Sequence, residues 1–334
     1  MHATTISASP DRPSRFKLVE EQEPSVDNLL DDARTGLLSR PKTLPAKYFY
    51  DARGSELFQA ICQTPEYYPT RAEAALLQTH AEAIIGHAAP SHLVELGSGS
   101  AEKTPLLLEQ LGAQQGAGVY VPVEISKTAL LDSAERLLQR FPWLSVIGIS
   151  ADYERGLELI PQGGRRLFAF LGSTLGNFTE PEAIDFLRTI RRRMNPDDSF
   201  LLGADLIKDT EVLNAAYNDA QGVTAEFNLN VLHVMNRQLN AEFDPHSFAH
   251  RAFYNEEQSQ IEMHLVSLRE QSVAVPALDA EVHFAEGETI RTEISRKFSR
   301  ASLARLLDAA GFALQHFWAP TSGTFSLTLA KPQP

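Results

Sequence analysis

Gly97 and Gly99 close the apolar stretch "HLVELGSG", and the next apolar stretches end at Glu124, just before Asp152, and at "GSTLGNF", residues 172–178. Glycines after a buried strand let the backbone approach a ligand closely. Glu124 is placed to accept hydrogen bonds from a ribose diol, and Asp152 to accept one from an adenine amino group. In an open parallel sheet, ligands bind beyond the carboxyl ends of the strands, near the switch in strand order. Ligand-type groups at successive strand ends therefore point to a nucleoside-bearing cofactor. Position 102 decides which. A dinucleotide fingerprint wants a third glycine there, to pack helix against strand, but the chain has Glu102 followed by Lys103. Pyrophosphate wants an uncrowded helix N-terminus, whereas an amino-acid tail and a sulfonium tolerate nearby carboxylates. The set fits S-adenosylmethionine better than NAD.

The elements that must position these groups follow from the hydrophobic pattern. From about residue 71 the chain alternates helical stretches with short apolar strands: "RAEAALLQTHAEAIIGHA", then "HLVELGSG". The amphipathic "SKTALLDSAERLLQRF", with Ser126 placed as an N-cap, lies between the strands "GVYVPVEI" and "LSVIGISAD". "RLFAFLGST", the helix "EPEAIDFLRTIRRRM" and the strand "SFLLGADL" continue the series. This order predicts a parallel, doubly wound α/β sheet. The alternation stops after about Ile207 and resumes with "SRASLARLLDAAGF" and two final strands. A second, discontinuous domain is thus expected from residues 19–71 plus 207–296, and the nucleotide-type domain from 72–206 plus 297–334. Residues 1–18 are expected to form a disordered tail.

Composition excludes several classes. A hydrophobic content of 43% and charged content of 22% describe a globular chain, and its net charge of −13 opposes binding to a nucleic-acid backbone. No apolar run approaches the roughly 20 residues of a membrane span, and the start lacks the apolar core of a secretory signal. The one cysteine, Cys62, rules out a disulfide framework, and a cytoplasmic location is expected. His246 and His250 are four apart, but Pro245 opposes a helix there. No metal site is expected.

"LPAKYFYDARGSELFQAICQTPEYYPTRAEAALL" resembles the opening signature of the histidine-specific, S-adenosylmethionine-dependent methyltransferases of ergothioneine biosynthesis. The resemblance continues in order through "ELGSGSAEKT", "FLGSTLGNF", "YNDAQGVTAEFNLNVLHVMNR", "IEMHLVS" and "IRTEISRKF". It implies a class I, Rossmann-like methyltransferase sheet with a second, substrate-binding domain. The implied activity is transfer of three methyl groups to the α-nitrogen of L-histidine, giving hercynine, by a monomer. The implied cofactor residues are Tyr50, Gly97, Gly99, Lys103, Glu124, Asp152 and Tyr153. The implied amino-acid site comprises Tyr67, Gly172, Asn177, Tyr217, Met263, Glu293 and Ser295, with Tyr67, Gly172 and Asn177 nearest the chemistry. Asn177 and Tyr217 can donate to the substrate carboxylate, while the Gly172 carbonyl and the Tyr67 hydroxyl can accept from the α-amine. Glu293 and Ser295 lie two apart, which on a strand puts both on one face. There the carboxylate can take the imidazole N–H and the hydroxyl can serve the other nitrogen.

Plainer roles exist for each of these residues. Asn177 could cap the helix near Glu180, Tyr67 and Tyr217 could be packing residues, and Met263 core filler. Glu293 could pair with Arg291 or Arg296 on a solvated strand. Rival activities are methylation of tryptophan or another amine, an NAD-dependent oxidoreduction, and non-catalytic cofactor binding.

Overall fold

The computed structural model describes residues 5–7, 15–20 and 26–334. It divides into two compact units. The first takes the described part of Met1–Glu23 with Pro69–Ile207 and Phe298–Pro334. The second takes the described part of Pro24–Tyr68 with Lys208–Lys297.

The first unit is built on a nine-stranded sheet. In spatial order its strands are Thr5–Ser7, Phe16–Glu20, Leu144–Ser150, Gly118–Glu124, His92–Leu96, Arg166–Phe170, Ser199–Asp205, Phe325–Pro332 and Phe312–Trp318. The strands from Phe16–Glu20 through Ser199–Asp205 are parallel. Phe325–Pro332 pairs antiparallel with Ser199–Asp205, Phe312–Trp318 antiparallel with Phe325–Pro332, and Thr5–Ser7 antiparallel with Phe16–Glu20, so the expected parallel sheet is mixed at its margins. The strand order reverses at His92–Leu96, whose neighbours are Gly118–Glu124 and Arg166–Phe170. Alternate side chains pack on opposite faces: Phe168 and Phe170 enter one core, Leu167 and Ala169 the other. Helix Lys127–Arg140 starts at Ser126, whose hydroxyl accepts from Ala129 N at 3.4 Å. It buries Leu130, Ala134, Leu137 and Leu138, one stripe of a 3.6-residue repeat.

The expected tail over residues 1–18 is in part ordered strand. Residues 16–20 form a strand paired in parallel with Leu144–Ser150, and residues 5–7 pair with it in turn. Leu18 and Val19 are buried, and the Arg15 guanidinium donates to the carbonyls of Leu138 and Phe141, both at 3.1 Å. Two apolar residues are too few to register as a period, yet they suffice beside a strand with a free edge. The rest of the expected tail lies outside the described residues.

The second unit holds a four-stranded sheet ordered Lys42–Thr43, Thr289–Arg296, Gln260–Ser267, Phe248–Asn255, and a hairpin of Gln271–Val275 with Ala280–Phe284. Helices Val26–Leu37, Ala52–Ile61, Thr210–Ala216 and Val223–Leu239 complete it. Its core joins Phe49, Phe227, Val231 and Met235 to Ile261, Met263 and Ile290. Asp51 caps helix Ala52–Ile61 by accepting from Gly54 N at 2.8 Å. It also accepts from Asn230 at 2.8 Å and Arg237 at 2.7 Å, which ties that helix to Val223–Leu239. The "YDARG" run is thus a structural knot.

Candidate functional site

In the first unit the glycine turn sits at the carboxyl end of the strand where the order reverses. Gly97 has φ +70°, and its N–H donates to the Val123 carbonyl at 2.8 Å. A Cβ there would stand 2.6 Å from the Tyr153 hydroxyl, so only glycine fits both the dihedral and the neighbour. The helix after the turn begins only at Thr104, which moves its N-terminus away from the glycines. Glu124 ends the adjacent strand and accepts from Gly99 N at 2.8 Å and from Ser126 N at 2.9 Å. Burial pushes its carboxyl up, opposed by those N–H bonds. A carboxylate offers about four acceptor sites, so both oxygens can still receive a vicinal diol. Tyr153 packs edge-on against Phe170 at 5.5 Å, and burial raises its hydroxyl. Asp152 is exposed, and one oxygen caps helix Tyr153–Leu159 through Arg155 N at 2.9 Å. The other oxygen is the one an adenine amino group would use. The glycine cradle and the diol-ready carboxylate fit S-adenosylmethionine, and neither needs a phosphate.

Gly172 follows the neighbouring strand Arg166–Phe170, and a residue the sequence reading passed over holds its turn. Both oxygens of Glu73 accept from Gly172 N, at 2.8 and 3.0 Å, and Glu73 pairs with the Lys103 ammonium. Glu73 is wholly buried on helix Pro69–Ala88. Its carboxylate fills the space a side chain at position 203 would need, which explains Gly203 mid-strand. Lys103, expected at the cofactor, is therefore first of all the partner of Glu73. Asn177 lies half-buried in the short helical turn Thr174–Asn177. It does not cap the next helix. Thr179 does, through a capping box with Glu182.

In the second unit Glu293, Ser295 and Lys297 alternate along one face at the end of strand Thr289–Arg296. Met263 lies opposite Glu293 and Ile261 opposite Ser295 on the antiparallel neighbour. Lys297 is 4% exposed, and its ammonium donates to Tyr217 Oη at 3.0 Å and to Ser295 Oγ at 2.9 Å. Tyr217 Oη donates to Ser295 Oγ at 2.9 Å. That proton is engaged inside the unit, and to donate to a substrate carboxylate, the expected role of Tyr217, it would have to leave Ser295. Behind it, His250 Nε2 meets the Tyr217 carbonyl at 3.0 Å, and burial lowers this imidazole's pKa, keeping it neutral. Asn228 bonds the other His250 nitrogen at 2.9 Å and receives Thr292 Oγ at 2.6 Å.

Glu293 forms no ion pair with Arg291 or Arg296 among the described residues. Burial pushes its carboxyl up to about 7, against the pull of Lys297. Tyr67 is buried edge-on to Tyr217 at 6.1 Å, and burial raises its hydroxyl well above the ordinary value. It stays a neutral O–H. Tyr50, expected at the cofactor, belongs to this unit, packed on Phe58 and Phe227 at 5.6 and 5.7 Å.

Lys297 and Glu73 are the residues the sequence reading missed. Lys297 continues the alternation of Glu293 and Ser295, so the period-two pattern held the signal. Glu73 had none, because a carboxylate on an amphipathic helix reads as a solvated one.

Strand order and the glycine turn beside Glu124 are those of a class I, Rossmann-like methyltransferase sheet. The family model for histidine-specific, S-adenosylmethionine-dependent methyltransferases matches residues 29–332, and the chain belongs to that family. It is 44% identical over 306 residues to a histidine N-alpha-methyltransferase of Mycolicibacterium smegmatis, covering 92% of this chain and 95% of the relative. A histidine N-alpha-methyltransferase of Mycobacterium tuberculosis is 44% identical over 299 residues, covering 90% and 93%. A solved S-adenosylmethionine-dependent methyltransferase of Clostridium acetobutylicum matches with a TM-score of 0.46 at 11% identity, over 84% of this chain and 99% of that one.

Proposed function

We propose that this enzyme transfers three methyl groups to the α-nitrogen of L-histidine, giving hercynine for ergothioneine biosynthesis. The observation that carries the reading is the face of Glu293 and Ser295, a carboxylate and a hydroxyl two residues apart in a largely apolar setting. A neutral imidazole has one ring donor and one ring acceptor, and this pair answers both. An indole has no ring acceptor and more bulk. Met263, buried opposite Glu293, supplies the adaptable apolar wall.

S-adenosylmethionine, when bound, supplies an electrophilic methyl group. Gly97, Gly99, Glu124, Asp152 and Tyr153 are the residues that would hold it, with Lys103 and Tyr50 as further contributors. The protein's remaining task is to orient a neutral amine, a service worth roughly 7–11 kcal/mol when reacting atoms are well placed. The Gly172 carbonyl and the Tyr67 hydroxyl are the acceptors proposed for its N–H groups, and Asn177 the donor to its carboxylate. Because the Tyr67 hydroxyl stays neutral, it guides rather than strips the amine, and the proton leaves through water. We further read the first unit as the methyltransferase domain and the second as the substrate domain. The enzyme is read as a cytoplasmic monomer acting on free histidine, with no part for nucleic acid or membrane. Among the described residues no helix is long and apolar enough to cross a membrane.

The test is incubation with labelled S-adenosylmethionine and a panel of free amino acids, followed by mass spectrometry. Histidine alone should yield a trimethylated product, and mono- and dimethylhistidine should be carried to the same end. Methylation of tryptophan in preference to histidine, or a product halted at one methyl group, would refute the proposal.

A further inference from the structure

The triangle of Lys297, Tyr217 and Ser295 sets proton directions as well as positions. An ammonium has three donors and no acceptor. Both hydroxyl oxygens therefore accept from Lys297, Tyr217 Oη at 3.0 Å and Ser295 Oγ at 2.9 Å. Tyr217 spends its own proton on Ser295 Oγ at 2.9 Å. A serine oxygen has two lone pairs and one proton, so both lone pairs of Ser295 are now filled. Only its O–H is left. That side chain is 3% exposed, and its proton meets no acceptor among the described residues. A buried donor without an acceptor is rare in a folded chain and points to a ligand atom that accepts. Two residues earlier on the same face stands Glu293, which when ionised can only accept.

We infer that Lys297 is a specificity-determining positioning residue: by filling both acceptor sites of Ser295 it commits that hydroxyl to donate. The bound ring must then offer an acceptor nitrogen to Ser295 and an N–H to Glu293, which selects one tautomer of a neutral imidazole. This rests on the histidine reading above. Lys297 touches no reacting atom and acts through Ser295 and Tyr217, which are themselves clamped from behind by the His250 contact to the Tyr217 carbonyl. The lysine stem alone would fill the same space, so Lys297→Met preserves packing while removing the donors.

The experiment uses calorimetry in the presence of S-adenosylhomocysteine, so that binding is read without turnover. Three ligands are compared: histidine, pyrrolylalanine (a ring N–H and no acceptor) and thiazolylalanine (a ring acceptor and no N–H). In the wild type, pyrrolylalanine strands the Ser295 proton and should bind far more weakly than histidine. In Lys297→Met the Ser295 hydroxyl is free to turn toward Tyr217, so the preference for histidine over pyrrolylalanine should shrink by about five- to 100-fold. Losing the Lys297 charge also lets the Glu293 carboxyl rise, so the titrations are run at pH 9, where the preference for histidine over thiazolylalanine, which reports on Glu293, should change much less. An unchanged histidine-to-pyrrolylalanine ratio in a folded Lys297→Met protein would overturn the inference. Should that variant not fold, Tyr217→Phe frees one acceptor site on Ser295 and should relax the same ratio by a smaller factor; an unchanged ratio there overturns it equally. Wild-type protein that binds tryptophan but none of the three ligands would instead defeat the histidine reading itself.

Discussion

The two proposed sites are built by opposite means. In the first, main chain and carboxylates hold one another: Gly99 and Ser126 N–H groups on Glu124, the Gly172 N–H on Glu73. Each contact fixes main chain just beyond a parallel strand, with a carboxylate as the acceptor of backbone N–H groups. In the second, hydroxyls, an ammonium and a carboxylate meet on one strand face, and each depends on the identity of its side chain. The sheet ends suit a cofactor that never changes. The strand face suits a substrate that must be told from similar amines, and a single side-chain change there alters the choice without disturbing a backbone contact.

If that contrast is right, losing a carboxylate that holds main chain in the first unit should show as lost stability, and damage to the strand face in the second as lost discrimination. The largest effect is expected for Glu73→Ala. The change removes the buried carboxylate that accepts from the Gly172 N–H and the Lys103 ammonium, and hydrogen bonds to a charged group are worth roughly 1.5–3 kcal/mol each. Chemical denaturation of the variant beside wild type measures it. A loss below about 1 kcal/mol would mean that Glu73 does not hold the turn.

Glu293→Ala comes next, and its loss should appear in recognition. A charge-assisted hydrogen bond is worth roughly 1.5–3 kcal/mol, so kcat/KM for histidine should fall about 10- to 150-fold, mostly through KM. Affinity for S-adenosylhomocysteine should hold steady in calorimetry. Equal losses for both ligands would erase the contrast between the units.

The same carboxylate predicts a pH dependence. Glu293 titrates at about 7, raised by burial and pulled down by Lys297, with the Tyr67 hydroxyl as its other ionisable neighbour. Its ionised form makes the charge-assisted bond to the imidazole N–H, and the protonated form keeps only a weaker carbonyl acceptor. The KM for histidine should therefore fall as pH rises through 7 and climb by up to about tenfold per unit below it. Because free imidazole itself gains a proton near 6.5, Glu293→Gln is the reference: its KM should lack the step at 7. A step of equal size in both proteins would assign the titration to the substrate.

The smallest effect separates two uses of Asp152. Asparagine caps helices about as well as aspartate, so Asp152→Asn should leave stability unchanged and weaken S-adenosylhomocysteine binding by about 0.5–1.5 kcal/mol. Asp152→Ala should in addition lose about 1 kcal/mol of stability with its cap. If only the alanine variant shows a deficit, Asp152 is a cap and nothing more.

Much was legible in the chain alone. Alternating helical and apolar stretches predicted the sheet, because a strand buried on both faces must be continuously apolar and its covering helices amphipathic. The positions after each strand then located Gly97, Glu124 and Asp152. Period-two spacing put Glu293 and Ser295 on one face. What tertiary structure decided was partnership. Glu73 and Gly172 are 99 residues apart in the chain, and Tyr217 and Lys297 are 80. No local pattern records such pairs, since folding brings their elements together through core contacts that involve neither. The same holds for Phe16–Glu20, whose two buried residues carry no period yet complete a sheet edge. Sequence specified which groups stand at the ends of elements. Only the packed chain decided which lone pairs they fill and which protons they leave for a substrate.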